Sequence, residues 1–128
     1  MFQSIEIIPN FFNITFVYNE GAAFSILEGK KILFIILGFL LIIGLSFFIR
    51  KEKLTKYKIV YYSLLIGGVL GNMFDRIFYP GVVDFFDFKL FSYDAPIFNI
   101  ADTFIVIATF LIIIEILLGG KNENRSNR

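Results

Sequence analysis

From Ile32 to Ile49 the chain runs for eighteen residues without a charge, and no other feature so narrows the folds open to it. At 1.5 Å per residue a helix of this length approaches the roughly 20 residues needed to cross about 30 Å of hydrocarbon. Residues 32–49 therefore read as a membrane-spanning helix. Ile59 to Phe74 adds sixteen apolar or small residues, with Tyr57 and Lys58 placed to reach the interface. Ile97 to Leu118 reads as a third span, with Asp102 near its start and Glu115 near its end, both away from the bilayer centre. Composition agrees: 57% of the residues are hydrophobic and mean hydropathy is +0.76, whereas soluble domains are roughly 45 to 50% apolar.

Composition also removes whole classes of function. A net charge of +1 and a pI near 7.9 leave no concentrated basic face for phosphate, so nucleic acid is not an expected partner. The chain has no Cys and no His, which excludes disulfides, thiol nucleophiles, haem and Cys/His zinc sites. Carboxylates, hydroxyls, amides and cations remain to carry chemistry, and no metal or cofactor is expected.

Charge sets the orientation. The connection Arg50 to Lys58 holds five cations against Glu52, and Lys121, Arg125 and Arg128 follow the last span; the positive-inside rule places both in the cytoplasm. Asp75, Asp84, Asp87, Asp94 and Asp102 outnumber Arg76 and Lys89 in the segment 75–102, which faces out. Residues 1–31 then also face out, although they have no basic n-region followed by an apolar core. Residues 5–18 mix β-branched and aromatic residues with Pro9, Asn10 and Asn13, which reads as short strands and turns. The whole is a single mainly α membrane domain over 1–128, with three transmembrane helices and a small extracytoplasmic β-rich element over 1–31. An additional N-terminal helix is expected to carry that element across. Asn13-Ile14-Thr15 fits a glycosylation pattern that recurs by chance.

Polar residues recur at helical spacing near the outer boundary. Asn72, Asp75 and Arg76 fall at i, i+3 and i+4 and project from one face. Just before them, Gly67-x-x-x-Gly71 offers a surface for close backbone approach. Asn99 and Asp102 repeat the i, i+3 spacing after Pro96, where a helix is expected to begin. An acid within the membrane edge is a functional candidate by default. In Gly81-Val82-Val83-Asp84-Phe85-Phe86-Asp87-Phe88 two carboxylates lie among apolar residues, as in a re-entrant or interfacial segment. If either Asp84 or Asp87 meets Asp102, repulsion leaves one proton shared between the pair. Such a pair can activate water and protonate a carbonyl oxygen, as in aspartic peptidases. Spacing alone leaves the partner open and equally allows two unrelated interfacial acids. Asn19-Glu20-Gly21-Ala22-Ala23-Phe24-Ser25 is a turn of small residues that lets a substrate backbone approach.

Four segments together resemble the lipoprotein signal peptidases, or type II signal peptidases: Asn19 to Ser25, Gly67 to Arg76, Val82 to Phe85, and Phe98 to Asp102. The resemblance spans about residue 10 to residue 118. It implies a bacterial aspartic endopeptidase that removes signal peptides from prolipoproteins before the diacylglyceryl-modified cysteine. Asp84 and Asp102 match the catalytic pair; Asn19, Gly21, Asn72, Arg76 and Asn99 match positions that support the pair or hold substrate; Asp75 matches a structurally important acid. The family has four spans, one more than is visible here. The resemblance further implies the bacterial cytoplasmic (inner) membrane, a site at the extracytoplasmic face and a cytoplasmic C-terminus. The expected partners are lipid-modified prolipoprotein signal peptides and membrane lipid. Two other readings stand beside this one: a small proton- or ion-coupled transporter component, whose sign would be flux without proteolysis, and an inactive truncated structural homologue.

Overall fold

A computed structural model describes residues 3–21, 29–91 and 93–126, with the backbone alone described for 94 and 119–126. Three helices, α1 (Lys31–Ile49), α2 (Lys56–Phe78) and α3 (Ile100–Ser126), meet an antiparallel sheet at one end. The sheet order is β1-β2-β3-β4. Its strands are β1 (Gln3–Ile8), β2 (Phe12–Asn19), β3 (Val82–Leu90) and the two-residue β4 (Tyr93–Asp94). Of the turn motif Asn19 to Ser25, residues 22–25 lie outside the described residues.

Among the described residues, α1 and the Ile100–Leu118 part of α3 are long and apolar enough to cross a membrane, with mean hydropathies of 3.1 and 2.5. On α1 only Gly38 is buried, and large side chains such as Ile32, Leu40 and Phe47 are exposed around it. An apolar surface this continuous fits lipid as solvent. α2 is more mixed, carrying Lys56 and Lys58 at its start and Asp75 and Arg76 near its end. Thr55 caps it by accepting the Lys58 N–H at 3.3 Å, which satisfies one orphan donor. The helix runs to Phe78, four residues past the expected end of its span, so Asn72, Asp75 and Arg76 are all helical.

Close packing of α2 on α3 is glycine-mediated, but the register differs from the expected one. A Cβ on Gly67 would meet nothing within 4 Å, whereas one on Gly68 would lie 2.6 Å from the Ala101 carbonyl oxygen and 2.7 Å from Ile105. Gly71 faces Ala101 as well. The contact face is thus Gly68 and Gly71, three apart, and Gly67 points away. At the other end of the bundle Tyr61, Tyr62 and Ala108 form the core, with Leu45, Ile49 and Leu111 packed around them. There Tyr61 donates to Glu115, and Lys58 pairs with Glu52 and, at 3.6 Å, with Glu115. These partners account for a carboxylate far along an otherwise apolar helix.

Of the segment Gly81 to Phe88, expected as re-entrant or interfacial, Val82 to Phe88 forms the start and body of strand β3 with Gly81 just before it, so the sheet is not confined to residues 1–31. β3 pairs with β2 from Asn19↔Val82 to Phe12↔Phe88, interrupted by an irregularity between Ile14 and Val17. A second expectation also changes. The third helix begins at Ile100 rather than Ile97, because residues 95–98 are held to the sheet. Phe98 forms a bridge with Phe86, its carbonyl accepting from the Phe85 and Phe86 N–H groups at 3.1 and 2.8 Å. That bridge sets Asn99 and the start of α3 beside β3.

Candidate active site

Asn99 and Asp102 cap α3 reciprocally. The Asp102 N–H donates to Asn99 Oδ1 at 2.9 Å, and the Asn99 N–H donates to Asp102 Oδ2 at 3.3 Å. This is the geometry of a capping box, with Asn99 as the cap and Asp102 in place of Glu at the third helical position. The cap does more than end a helix, because it fixes the carboxylate of Asp102 at a defined height on α3. Asn72, projecting from α2, donates from Nδ2 to the other carboxylate oxygen, Oδ1, at 2.7 Å.

Asp84 comes from β3 and is 2% exposed. Its Oδ1 accepts from Asn99 Nδ2 at 2.8 Å and its Oδ2 from Asn19 Nδ2 at 3.0 Å. Asn99 Nδ2 donates in addition to Asn72 Oδ1 at 3.0 Å. One buried amide therefore ties Asp84 to both groups that hold Asp102. Burial pushes the Asp84 carboxyl up from its ordinary range to about 6, helped by the charge of Asp102 and opposed by the amide of Asn19. The β2–β3 pairing that delivers Asn19 depends on Gly81, where a Cβ would stand 2.5 Å from the Asn19 carbonyl oxygen.

Arg76 sits beneath this network. Its Nη1 donates to the Asn72 carbonyl at 3.2 Å and its Nη2 to the Gly21 carbonyl at 2.9 Å. Its guanidinium lies 4.8 Å from the centroid of the Phe34 ring on α1, within cation–π range. Gly21 in turn donates its N–H to Asn19 Oδ1 at 3.0 Å. Arg76 thus ties the chain after β2 to α2. Asp75 takes another part: its Oδ2 accepts the Val83 N–H at 3.1 Å, which fastens the start of β3 to the end of α2.

A cavity of about 560 Å³ opens onto both acids, with Asn19, Gly21, Asn72 and Arg76 also in its wall. Of the residues expected at a site, only Asp75 and Asn99 stand behind that wall: Asn99 bonds Asp84, Asn72 and Asp102 within it, and Asp75 bonds Val83, next to Val82 of the wall. Asp87 is placed elsewhere. Side chains three apart on a strand point to opposite faces, and Asp87 accepts from Thr15 Oγ1 at 2.8 Å and from Asn13 Nδ2 at 3.4 Å. Asn13, set aside in the sequence as a chance pattern, is buried together with Thr15 as a partner of this acid. Sequence reasoning missed Thr103, which also lines the cavity, and Gly81 and Phe34. Thr103 follows Asp102 directly, and adjacency was the one available signal. Gly81 and Phe34 act through contacts made across the fold and left none.

Two carboxylates in one cavity, one of them buried and reluctant to ionise, can divide the work of hydrolysis between an acid and a base. Comparison with known proteins agrees in kind. A family model described as signal peptidase (SPase) II matches residues 1–118. The lipoprotein signal peptidase of Staphylococcus aureus strain JH9 is 46% identical over 122 residues, covering 94% of this chain and 75% of that protein. The protein of that name from strain Newman gives the same figures. A solved structure described as a bacterial membrane enzyme, studied by the in meso method at 2.3 Å resolution, superposes with a TM-score of 0.86. It is 45% identical and covers 94% of this chain and 74% of its own. A second of the same description, at 1.9 Å, has a TM-score of 0.79 at 46% identity, with 90% and 75% covered.

Proposed function

This chain belongs to the signal peptidase II family, and from that premise we propose that it removes signal peptides from prolipoproteins as an aspartic endopeptidase, with Asp84 and Asp102 as the catalytic pair. The observation that carries the assignment is the shared amide: Asn99 bonds Asp84 directly and caps the helix that presents Asp102. Asp84 holds the proton of the pair, being the buried partner. Asp102 takes a proton from the attacking water while Asp84 donates to the scissile carbonyl oxygen, giving a tetrahedral adduct. As the adduct collapses the C–N bond breaks, Asp102 gives its proton to the leaving nitrogen, and a hydroxyl of the adduct returns a proton to Asp84 as the new carboxyl group forms, so that the pair is reset.

The family and the two long apolar helices support the substrate class in this reading. Cleavage falls before a diacylglyceryl-modified cysteine at the extracytoplasmic face of the bacterial inner membrane, and substrate reaches the cavity laterally. Withdrawing acyl chains from lipid costs about 0.8 kcal/mol per CH₂, which favours this route over one through water. All three helices span in this reading, with the basic α1–α2 connection and the C-terminus in the cytoplasm. Cysteines introduced at Lys53 and Tyr93, both exposed, are expected to label from opposite sides of sealed vesicles. Labelling from one side removes the topology on which the placement of the site rests.

The reaction itself is tested with a diacylglyceryl-modified prolipoprotein in reconstituted vesicles, followed as a pH profile. The new N-terminus is expected to be the modified cysteine; cation flux without cleavage would replace this reading with transport. With the Asp84 carboxyl pushed up from its ordinary range by burial, kcat/KM is expected to fall on the alkaline side as the pair loses its shared proton, with an apparent pKa that belongs to the pair. The amide of Asn19 favours the ionised form of Asp84. Asn19→Ala removes that preference, and the alkaline limb is expected to move to higher pH whatever the residual rate. A limb that moves to lower pH contradicts the assignment of Asp84 as the proton-bearing partner.

A further inference from the structure

The polar side chains of the cavity wall differ in how far they are already committed. Asn19 and Asn72 each spend one amide proton on a catalytic carboxylate, and each amide oxygen already accepts one bond. Arg76 can only donate. Thr103 differs. Its Oγ donates its single proton to the Asn99 carbonyl at 3.1 Å, which fixes the rotamer and leaves both lone pairs uncommitted. Among the described residues of the cavity wall it is the one side chain with a hydroxyl.

Its position on α3 gives those lone pairs a use. Residues 99, 103, 106 and 107 share one face of a helix. Thr103 therefore separates the polar end of the cavity, at Asp102, from the apolar wall of Val106 and Ile107 one turn further along. α3 runs away from the site into the apolar zone, and a signal peptide ending at the scissile bond must lie along that same direction. To present its last carbonyl to the acids, the peptide leaves its own helix there and exposes N–H groups where water is scarce. Each such group left unpaired in hydrocarbon is strongly unfavourable.

We propose that Thr103 is a specificity-determining residue for this reaction, its Oγ accepting a hydrogen bond from a backbone N–H of the signal peptide within the three residues before the scissile bond. The proposal rests on the dyad reading above, because it locates the scissile bond at Asp84 and Asp102. By recognising backbone rather than side chain, Thr103 selects an extended peptide over a helical one and tolerates varied sequences.

The test pairs enzyme and substrate variants in reconstituted vesicles. Thr103→Val is expected to lower kcat/KM by about fivefold, the size of one net hydrogen bond, and Thr103→Ser to restore it. In the prolipoprotein the N–H groups of the last three signal-peptide residues are replaced one at a time by ester oxygen, leaving the scissile amide intact. One ester should slow the native enzyme by a similar factor and leave Thr103→Val unaffected, the coupling expected of two partners in one bond. Equal effects of every ester on both enzymes, or native activity in Thr103→Val, overturns the proposal. A loss in Thr103→Val without coupling also overturns it, because the hydroxyl then acts only on the Asn99 carbonyl. Asp84→Asn separates the two levels of inference. If it still cleaves, the dyad reading fails; if it is inactive while Thr103 shows no coupling, only the role of Thr103 fails.

Discussion

Asp84→Asn and Asp102→Asn are each expected to reduce cleavage of a diacylglyceryl-modified prolipoprotein by on the order of 10³-fold or more, with the double variant no slower than either single one. Each substitution keeps the shape of the side chain and removes its ability to exchange a proton. Non-additivity follows because acid and base act in one step: with either absent, the other has nothing to complete. Asp87→Asn is the internal control. Its carboxylate is engaged by Thr15 and Asn13 on the opposite face of the strand, so most activity should remain. Membrane levels of each variant, measured alongside, separate lost chemistry from lost protein. Appreciable turnover by a well-inserted Asp84→Asn or Asp102→Asn enzyme would falsify the pair, and loss confined to Asp87→Asn would move it to Asp87 and Asp102.

Two adjacent glycines should behave oppositely. Gly68→Val forces a side chain into the Ala101 carbonyl oxygen and Ile105, where a Cβ alone would already stand 2.6 and 2.7 Å away. Backbone cannot yield as a flexible side chain can, so α2 and α3 must separate. Overpacking of this kind costs about 1 to 3 kcal/mol and sometimes more. Separation also draws Asn72, on α2, from Asp102, on α3, so activity is expected to fall together with the thermal midpoint in detergent. Gly67→Ala meets open space and is expected to leave both nearly unchanged. Equal sensitivity at the two positions would show that the helices pack in another register.

The same pair of glycines marks how far sequence reasoning reaches. A cluster of small residues before Asn72 announces close packing, but a one-residue difference in register turns a side chain by about 100° on a helix. Only contact with Ala101 decides between Gly67 and Gly68. The acids give a parallel case. Asp84 and Asp87 stand in equally apolar surroundings along the chain, and spacing could not choose between them. Resemblance to a family favoured Asp84. The physical distinction is the alternation of strand faces, visible once the segment is seen to be β3 rather than a re-entrant stretch.

Uninterrupted apolar runs with no alternative solvent, charge asymmetry between connections, and the absence of Cys and His are local or compositional properties. They determined by themselves a helical membrane protein that leaves carboxylates, hydroxyls, amides and cations to carry chemistry, and they placed many of its polar residues toward one end. Helical periodicity also set Asn72 with Arg76 on one face, because neighbours on a helix are fixed by spacing alone. What the tertiary structure decided is everything that depends on pairing across the chain. The Phe86–Phe98 bridge delays the start of α3 to Ile100 and thereby makes Asn99 a cap. β2–β3 register delivers Asn19 to Asp84, and the closeness of Gly68 to Ala101 brings Asn72 to Asp102. Residues separated by 15 to 65 positions carry no local signal of their meeting, since the interactions that join them exist only after the helices and the sheet have packed.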